Sequence, residues 1–131
     1  TTSKAQFNNI KINVLIAEDN LPNFLYLKSL FSKYNYQILH ALNGAEALKL
    51  FNKNKTIDLI LMDLKMPVMD GLETTREIRK IDKNIPIIAL TAFAMENDRE
   101  KAIEAGCNDY ISKPVSNEKL IEIIHKNIKQ K

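Results

Sequence analysis

Short apolar runs alternate along the chain with longer segments of helical periodicity, and this alternation constrains the fold more than any other feature. The apolar runs predict five strands, at about residues 11–17, 35–40, 57–62, 86–90 and 108–112. The segments after them predict five helices, at about residues 21–34, 44–54, 71–81, 95–105 and 117–129. Strands of a parallel sheet that is buried on both faces have near-continuous apolar sequences. The alternation therefore predicts a doubly wound α/β fold, with helices on both faces of a parallel sheet.

Residues that favour helix ends stand at several of the predicted boundaries. Asn20 and Asn43 precede the first two helices, Pro22 lies just inside the first, and Ser116 precedes the last. Side chains of Asn and Ser accept hydrogen bonds from the free N–H groups of a first helical turn, where proline is also tolerated. Gly106 follows the fourth helix, and glycine commonly ends helices. These residues support the predicted boundaries.

Length, charge and cysteine content limit the class of protein. The 131 residues are enough for one domain, and we expect a flexible leader at 1–10 followed by a single domain at 11–131. The net charge of +3 is mild and the lysines are scattered, so binding to nucleic acid is not indicated. No apolar stretch approaches the ~18 residues of a membrane span, so no membrane contact is expected. The single cysteine, Cys107, excludes an internal disulfide, is expected to be a buried structural thiol, and fits a cytoplasmic location.

Charged and polar side chains stand at the ends of four predicted strands. Glu18 and Asp19 follow the first strand, Asp63 the third, Thr91 the fourth and Lys113 the fifth. The carboxyl ends of parallel strands meet at one edge of the sheet, where open α/β folds bind their ligands. Three carboxylates in one place repel one another unless a hard cation neutralises them. The sequence therefore predicts a magnesium-dependent phosphate site at this edge.

These residues, in this order, closely resemble the receiver domain of two-component response regulators. The match extends over about residues 11–129, and the stretches 62–71 (MDLKMPVMDG) and 105–114 (AGCNDYISKP) look most like receivers attached to hybrid histidine kinases. The resemblance implies a flavodoxin-like (βα)5 fold with a five-stranded parallel sheet in the order 2-1-3-4-5. It also gives each motif residue a role: Glu18 and Asp19 form the acidic pair, Asp63 is the phosphoacceptor, Thr91 the hydroxyl residue, Tyr110 the switch aromatic, and Lys113-Pro114 the lysine–proline pair.

The resemblance implies a chemistry for this site. Asp63 would be the nucleophile that receives the phosphoryl group as an acyl phosphate. The implied cofactor is Mg²⁺, held by Glu18, Asp19, Asp63 and the backbone carbonyl of Lys65. Lys113 is expected to pair with Asp63 and then with a phosphoryl oxygen. The domain would thus mediate its own phosphorylation and dephosphorylation, with no separate substrate.

The resemblance also implies how the domain passes on its signal and which kind of protein phosphorylates it. The phosphate, which carries about −1.5 to −2 charges, is expected to draw Thr91 inward. Tyr110 would then rotate into the vacated space and alter the face made by the fourth helix, fifth strand and fifth helix. The expected partner is a histidine kinase or a histidine phosphotransfer helical bundle. Leu21 and Leu25 lie off the predicted core face of the first helix. Receivers as a family meet their histidine-bearing helical bundles along this helix, so the resemblance implies that both leucines contact the partner.

Several alternatives remain open or fit less well. A flavodoxin-like cofactor-binding module needs a phosphate-cradling loop after the first strand, whereas this loop is acidic. A metal-dependent phosphohydrolase is a further alternative of a different class. Within the receiver class, the chain is either a stand-alone response regulator or a module of a hybrid histidine kinase. Because it opens Thr1-Thr2-Ser3 without a methionine, we favour a module of a longer protein, whose parent would be a histidine kinase that can be membrane-anchored.

Overall fold

Strands and helices alternate throughout the part of the chain that the computed structural model describes, residues 11–32, 34–92 and 96–128. The strands within these ranges are β1 (Ile12–Ala17), β2 (Tyr36–Ala41), β3 (Leu59–Asp63), β4 (Ile87–Thr91) and β5 (Asp109–Ser112). The helices are α1 (Leu21–Leu30), α2 (Gly44–Lys53), α3 (Gly71–Ile81), α4 (Glu96–Ala105) and α5 (Asn117–Ile128). The predicted leader at 1–10 lies outside the described residues.

All strand pairs are parallel, and the sheet has the order β2-β1-β3-β4-β5. The predicted fold class and the strand order implied by the resemblance are both confirmed. After β1 the chain adds β2 on one side, and β3 then returns to the other side of β1. This change of direction separates the loops that follow β1 and β3, and such a point is where open α/β sheets bind ligands.

Alternate residues of the central strands supply two separate cores. Val14, Ile16, Leu59 and Leu61 belong to a core on one face of the sheet, which is covered by α1 and α5. Their neighbours along the same strands belong to the core on the other face, covered by α2, α3 and α4. All residues of β3 and β4 are buried. Burial on both faces therefore explains the near-continuous apolar runs in the sequence.

Each predicted N-terminal cap makes the hydrogen bond expected of it. The Asn20 side chain accepts from the N–H of Asn23 at 2.9 Å, and the Asn43 side chain accepts from that of Glu46 at 2.8 Å. The Ser116 hydroxyl accepts from the N–H of Lys119 at 3.1 Å. These local bonds satisfy N–H groups that have no partner within the helix, and they fix where each helix begins.

The strands and the first helix differ from the sequence prediction at their ends. Asp63 and Thr91 are the last residues of β3 and β4 rather than the residues that follow them. The prediction that α1 continues to residue 34 was wrong, because the helix ends at Leu30. The N–H groups of Phe31 and Ser32 donate to carbonyls three residues earlier, and this tighter turn starts the reversal toward β2.

The structure describes the surroundings of Cys107 and the lengths of the helices. Cys107 is buried beside Thr75, with 3.7 Å between Sγ and Oγ1, as expected of a structural thiol. Burial raises the pKa of this thiol to about 11. Among the described residues, no helix is long and apolar enough to span a membrane.

Candidate functional site

Three carboxylates lie together at the carboxyl edge of the sheet. Ala17 pairs with Met62 in the β1–β3 register, so the residues that come next, Glu18 and Asp63, stand side by side. Glu18, Asp19 and Asp63 each offer an oxygen within 4.8 Å of the other two. Glu18 is 0% exposed and Asp63 is 4% exposed, whereas Asp19 faces solvent. Two of the three carboxylates are therefore buried at this edge, and the third, that of Asp19, lies on the side that is open to solvent.

Lys113, the residue that follows β5, joins this group. Its Nζ lies 2.8 Å from Oε1 of Glu18 and 2.9 Å from Oδ2 of Asp63. Burial by itself lowers the pKa of the Lys113 ammonium, but its hydrogen bonds to Asp63 and Glu18 outweigh burial and the pKa is raised. Burial raises the pKa of the Glu18 carboxyl to about 7, and the neighbouring Asp63 adds to this rise. One ammonium thus bridges two buried carboxylates, and the exposed Asp19 lies beside them.

Backbone groups orient both buried carboxylates. The N–H of Lys65 donates to Oδ1 of Asp63 at 3.0 Å, and the N–H of Asn20 donates to Oε2 of Glu18 at 3.2 Å. Helix α3 begins immediately against this segment, since a Cβ added to Gly71 would collide with the Asp63 carbonyl.

Thr91 and Tyr110 lie on one face of the sheet. Thr91 pairs with Ser112 and Ala89 pairs with Tyr110 in the β4–β5 register, so Thr91 and Tyr110 project from the same side. Thr91 is buried at the end of β4, and its carbonyl accepts the N–H of Lys113 at 2.7 Å. Tyr110 is partly buried and packs against the core under α2, α3 and α4. The fold thus brings Thr91 to the carboxylate edge and leaves Tyr110 one step back along β5.

His40 is a neighbour of the site that sequence reasoning did not identify. Its ring lies flat against Phe24, with centroids 3.6 Å apart. Its Nε2 lies 2.8 Å from the Glu18 carbonyl, which accepts a hydrogen bond, so Nε2 carries the proton. In the sequence, His40 is recognisable only as a residue near the end of β2. That position does not indicate a contact with Glu18.

A cleft of about 430 Å³ extends from Asp19 and Thr91 toward α4. Asp98 and Lys101, one helical turn apart on α4, line this cleft, as does Lys65. Sequence reasoning gave no role to Asp98 or Lys101, because α4 carries no motif and its residues are mostly charged. The cleft leaves the carboxylate edge accessible from outside the protein.

The donor set fits a magnesium ion. Mg²⁺ prefers oxygen ligands and commonly uses one or two carboxylates together with retained water. The clustered oxygens of Glu18, Asp19 and Asp63 are hard donors, and the opening at Asp19 leaves room for water. Lys113 offsets the charge of only one carboxylate, so a divalent cation would relieve the remaining repulsion.

Comparisons with known proteins agree with this geometry. Residues 14–125 match the response regulator receiver domain family. The chain is 46% identical over 123 residues to hybrid signal transduction histidine kinase I of Dictyostelium discoideum, an alignment that covers 88% of this chain. The same alignment covers 7% of that kinase, so the chain spans a small part of its relative.

Solved structures with the same fold include two receivers. One is the receiver domain of the Saccharomyces cerevisiae response regulator Ssk1, crystallised with the histidine phosphotransfer protein Ypd1. It has a TM-score of 0.85 and 36% identity, and the alignment covers 92% of this chain and 90% of that one. The other is the receiver of a Pseudomonas aeruginosa sensor histidine kinase, with a magnesium ion in its active-site cleft. It has a TM-score of 0.84 and 35% identity, covering 92% and 99% of the two chains. The chain belongs to the response regulator receiver family and is a receiver domain of two-component signalling systems.

Proposed function

We propose that Asp63 of this receiver accepts a phosphoryl group from a phosphohistidine donor in a reaction that requires Mg²⁺. The observation that carries the proposal is the ion-pair network in which Lys113 bridges Glu18 and Asp63 beside the exposed Asp19. Lys113 can offset the charge of only one of the three carboxylates. The surplus of carboxylates at the carboxyl edge of the sheet supports a site built for a metal ion and a phosphoryl group.

Phosphoryl transfer at this site needs one nucleophile and several charge-stabilising groups. A carboxylate oxygen of Asp63 attacks the phosphorus, and the bond from phosphorus to the donor imidazole nitrogen breaks. The bonding electron pair returns to that nitrogen, and an acyl phosphate remains on Asp63. The Lys113 ammonium moves from Oδ2 of Asp63 to a phosphoryl oxygen, while the Thr91 hydroxyl donates to another.

Glu18, Asp19 and Asp63, with the carbonyl of Lys65, are the proposed ligands of the magnesium ion. When bound, Mg²⁺ supplies positive charge that neutralises the transferring phosphoryl oxygens. Glu18 is held by Lys113 and by the N–H of Asn20, so its carboxylate is already oriented before the metal arrives. Asp19 is exposed and provides the side from which the ion enters.

The proposed output is a change on the face made by α4, β5 and α5. Thr91 moves toward the phosphoryl group, and Tyr110, on the same side of the sheet, rotates toward the space that Thr91 leaves. The partner on the input side is a histidine kinase or a histidine phosphotransfer helical bundle, which contacts Leu21 and Leu25 of α1. Ypd1, seen with the Ssk1 receiver, is a relative's partner of this kind.

The parent protein is proposed to be a hybrid histidine kinase that presents this domain in the cytoplasm. The identity to a segment of a hybrid kinase supports this parent. A stand-alone response regulator is the alternative, and a histidine-bearing helical segment in the same polypeptide would decide between them. A phosphohydrolase would instead release phosphate from a phosphomonoester under multiple turnover, which we do not expect.

The proposed function is tested by phosphorylating the protein with acetyl phosphate and Mg²⁺. We expect the intact mass to rise by one phosphate in wild type and not in Asp63→Asn. Asp58→Asn is the matched control, because Asp58 lies just before β3, at the other end of the same strand, and accepts the N–H of Asn13 at 2.9 Å. Labelling of Asp63→Asn to the wild-type extent, or labelling without Mg²⁺, would contradict the proposal.

A further inference from the structure

A tyrosine on α1 contacts the segment that carries Lys113. The hydroxyl of Tyr26 donates a hydrogen bond to the carbonyl of Val115, a residue 89 positions later in the chain. Val115 is buried and lies two residues after Lys113, in the connection between β5 and α5. The hydrogen bond therefore ties the first helix to the segment that places the site's ammonium.

The backbone of this segment is fixed at both ends. At its start, the N–H of Lys113 donates to the carbonyl of Thr91 at 2.7 Å. Pro114 follows and has no N–H to contribute. The carbonyl of Val115 then accepts the hydrogen bond from the Tyr26 hydroxyl. At the end of the segment, the Ser116 hydroxyl caps α5 by accepting the N–H of Lys119. The bond is only partly buried, and its loss would leave the middle of the segment with weaker restraint.

A cavity beside the segment gives it room to move. The cavity has a volume of about 260 Å³ and lies between α1 and the β5–α5 connection. Its lining includes Glu18, Tyr26, Lys113 and Pro114. Most segments in a protein interior are restrained by close-packed neighbours. A segment that borders a cavity has fewer such neighbours, so its position depends more on its hydrogen bonds. The Tyr26 hydroxyl makes such a bond at the edge of this cavity.

We propose that Tyr26 is a positioning residue. Its hydroxyl helps to hold the Lys113 ammonium between Glu18 and Asp63 and thereby increases the rate of phosphorylation of Asp63. The inference rests on the function proposed for Asp63. Lys113 reaches both carboxylates at 2.8 and 2.9 Å, and charge stabilisation of this kind depends strongly on distance. Because the lysine side chain is flexible and compensates for part of a backbone shift, the effect of losing Tyr26's hydroxyl is moderate.

The test compares Tyr26→Phe with Ser29→Ala. Tyr26→Phe keeps the ring and removes the hydroxyl. Ser29→Ala removes a hydroxyl one turn away, which donates to the Tyr26 carbonyl at 2.6 Å within the same helix. With acetyl phosphate and saturating Mg²⁺, we expect Tyr26→Phe to slow labelling of Asp63 by about three- to tenfold, the range expected for one hydrogen bond. Ser29→Ala should label at the wild-type rate.

Two further measurements separate positioning from a general loss of stability. The ammonium resonance of Lys113, observed by ¹H–¹⁵N NMR, should shift or broaden in Tyr26→Phe and stay unchanged in Ser29→Ala. In the double variant Tyr26→Phe/Lys113→Ala, labelling should be no slower than in Lys113→Ala alone. An equal rate for Tyr26→Phe and wild type, equal slowing by Ser29→Ala, or full additivity in the double variant would overturn the inference. Failure of wild type to label would instead refute the function proposed for Asp63.

Discussion

Two long cationic side chains lie at opposite ends of the parallel strands: Arg79 at the amino edge, where the strands begin, and Lys113 at the carboxyl edge, where they end. The hydrogen-bond partners of the two side chains differ in charge. At the amino edge, Arg79 of α3 donates to the carbonyls of Gly106 and Asp82 and to the side-chain oxygen of Asn108, at 2.7–3.1 Å. At the carboxyl edge, Lys113 donates to two buried carboxylates. All of the partners of Arg79 in these bonds are uncharged, whereas the partners of Lys113 carry more charge than it can offset.

The comparison distinguishes a structural cation from the cation of the proposed phosphorylation site. Burial lowers the pKa of Arg79, but arginine keeps its charge, and its planar guanidinium joins three chain segments at once. Gly106 has a positive φ of 120°, and a Cβ there would press on the Arg79 side chain, so the local backbone is shaped around the arginine. Lys113 instead leaves unbalanced negative charge, which attracts a cation. The surplus charge, and not the burial of a cation, distinguishes the edge proposed to be functional.

The largest expected effect concerns the amino edge. Arg79→Ala should lower the free energy of unfolding by about 2–3 kcal/mol, because partly buried acceptors lose their donor and the aliphatic stem loses its packing. Lys80→Ala is the control, since Lys80 pairs with Glu77 at the surface at 2.9 Å and such pairs contribute about 0–1 kcal/mol. Urea unfolding measures both variants. At temperatures where Arg79→Ala remains folded, its labelling rate should equal wild type, and a large loss would mean that the two edges are coupled.

The second prediction concerns the surplus charge at the carboxyl edge. Mg²⁺ at 100-fold its dissociation constant should raise the free energy of unfolding by about 2.7 kcal/mol if it binds the folded state alone. Thermal unfolding with MgCl₂, and with NaCl at equal ionic strength, separates binding from screening. Asp19→Asn should weaken the effect of Mg²⁺ and raise the stability without metal. A wild-type melting temperature indifferent to millimolar Mg²⁺ would refute the metal site.

The third prediction uses the pH dependence of the same edge without metal. The pKa of Glu18 is about 7 in the folded protein and near 4.5 in the unfolded chain. Between these values the folded state binds more protons, so stability should fall as pH rises from 5 to 8. Allowing for solvent screening at the open side of the site, the loss attributable to Glu18 is on the order of 1–2 kcal/mol.

Unfolding in urea with EDTA at several pH values measures this dependence. Glu18→Gln should flatten it, because the neutral amide does not titrate. Glu77→Gln, a change at the surface pair with Lys80, should retain the wild-type slope. A slope that persists in Glu18→Gln would assign the titration to another group.

The smallest effect concerns contact with the phosphodonor protein. Leu21→Ser/Leu25→Ser should slow transfer from a histidine-bearing partner by about tenfold, as expected for partial burial of two leucines. Ile81→Ser is the matched control, because Ile81 is 52% exposed at the amino edge, and Leu21 and Leu25 are 56% and 51% exposed. Labelling by acetyl phosphate should be unchanged in all variants. Equal slowing with both donors would indicate damage to α1 rather than lost contact.

Local sequence patterns were sufficient to predict the strands and most helix boundaries, whereas the order of the strands was implied by the family resemblance. Burial on both faces requires apolar residues throughout β3 and β4, so these strands are visible as uninterrupted runs. Caps such as Asn20 and Asn43 act on residues three positions away, and their effect is therefore local as well. The end of α1 was missed because it depends on a distant contact. The chain must turn early so that the Asn35 carbonyl can accept the N–H of Ile12 on β1.

The sequence by itself determined which chemical groups stand at the carboxyl edge, because strand ends are set by local periodicity and parallel strands share one edge. Tertiary structure decided how these groups meet. Lys113 reaches Glu18 across 95 positions, and Tyr26 reaches Val115 across 89, so neither contact leaves a local pattern in the sequence. The same holds for Arg79 with Gly106 and for His40 with Glu18. Such contacts depend on helix packing and side-chain rotamers, which only the folded chain fixes.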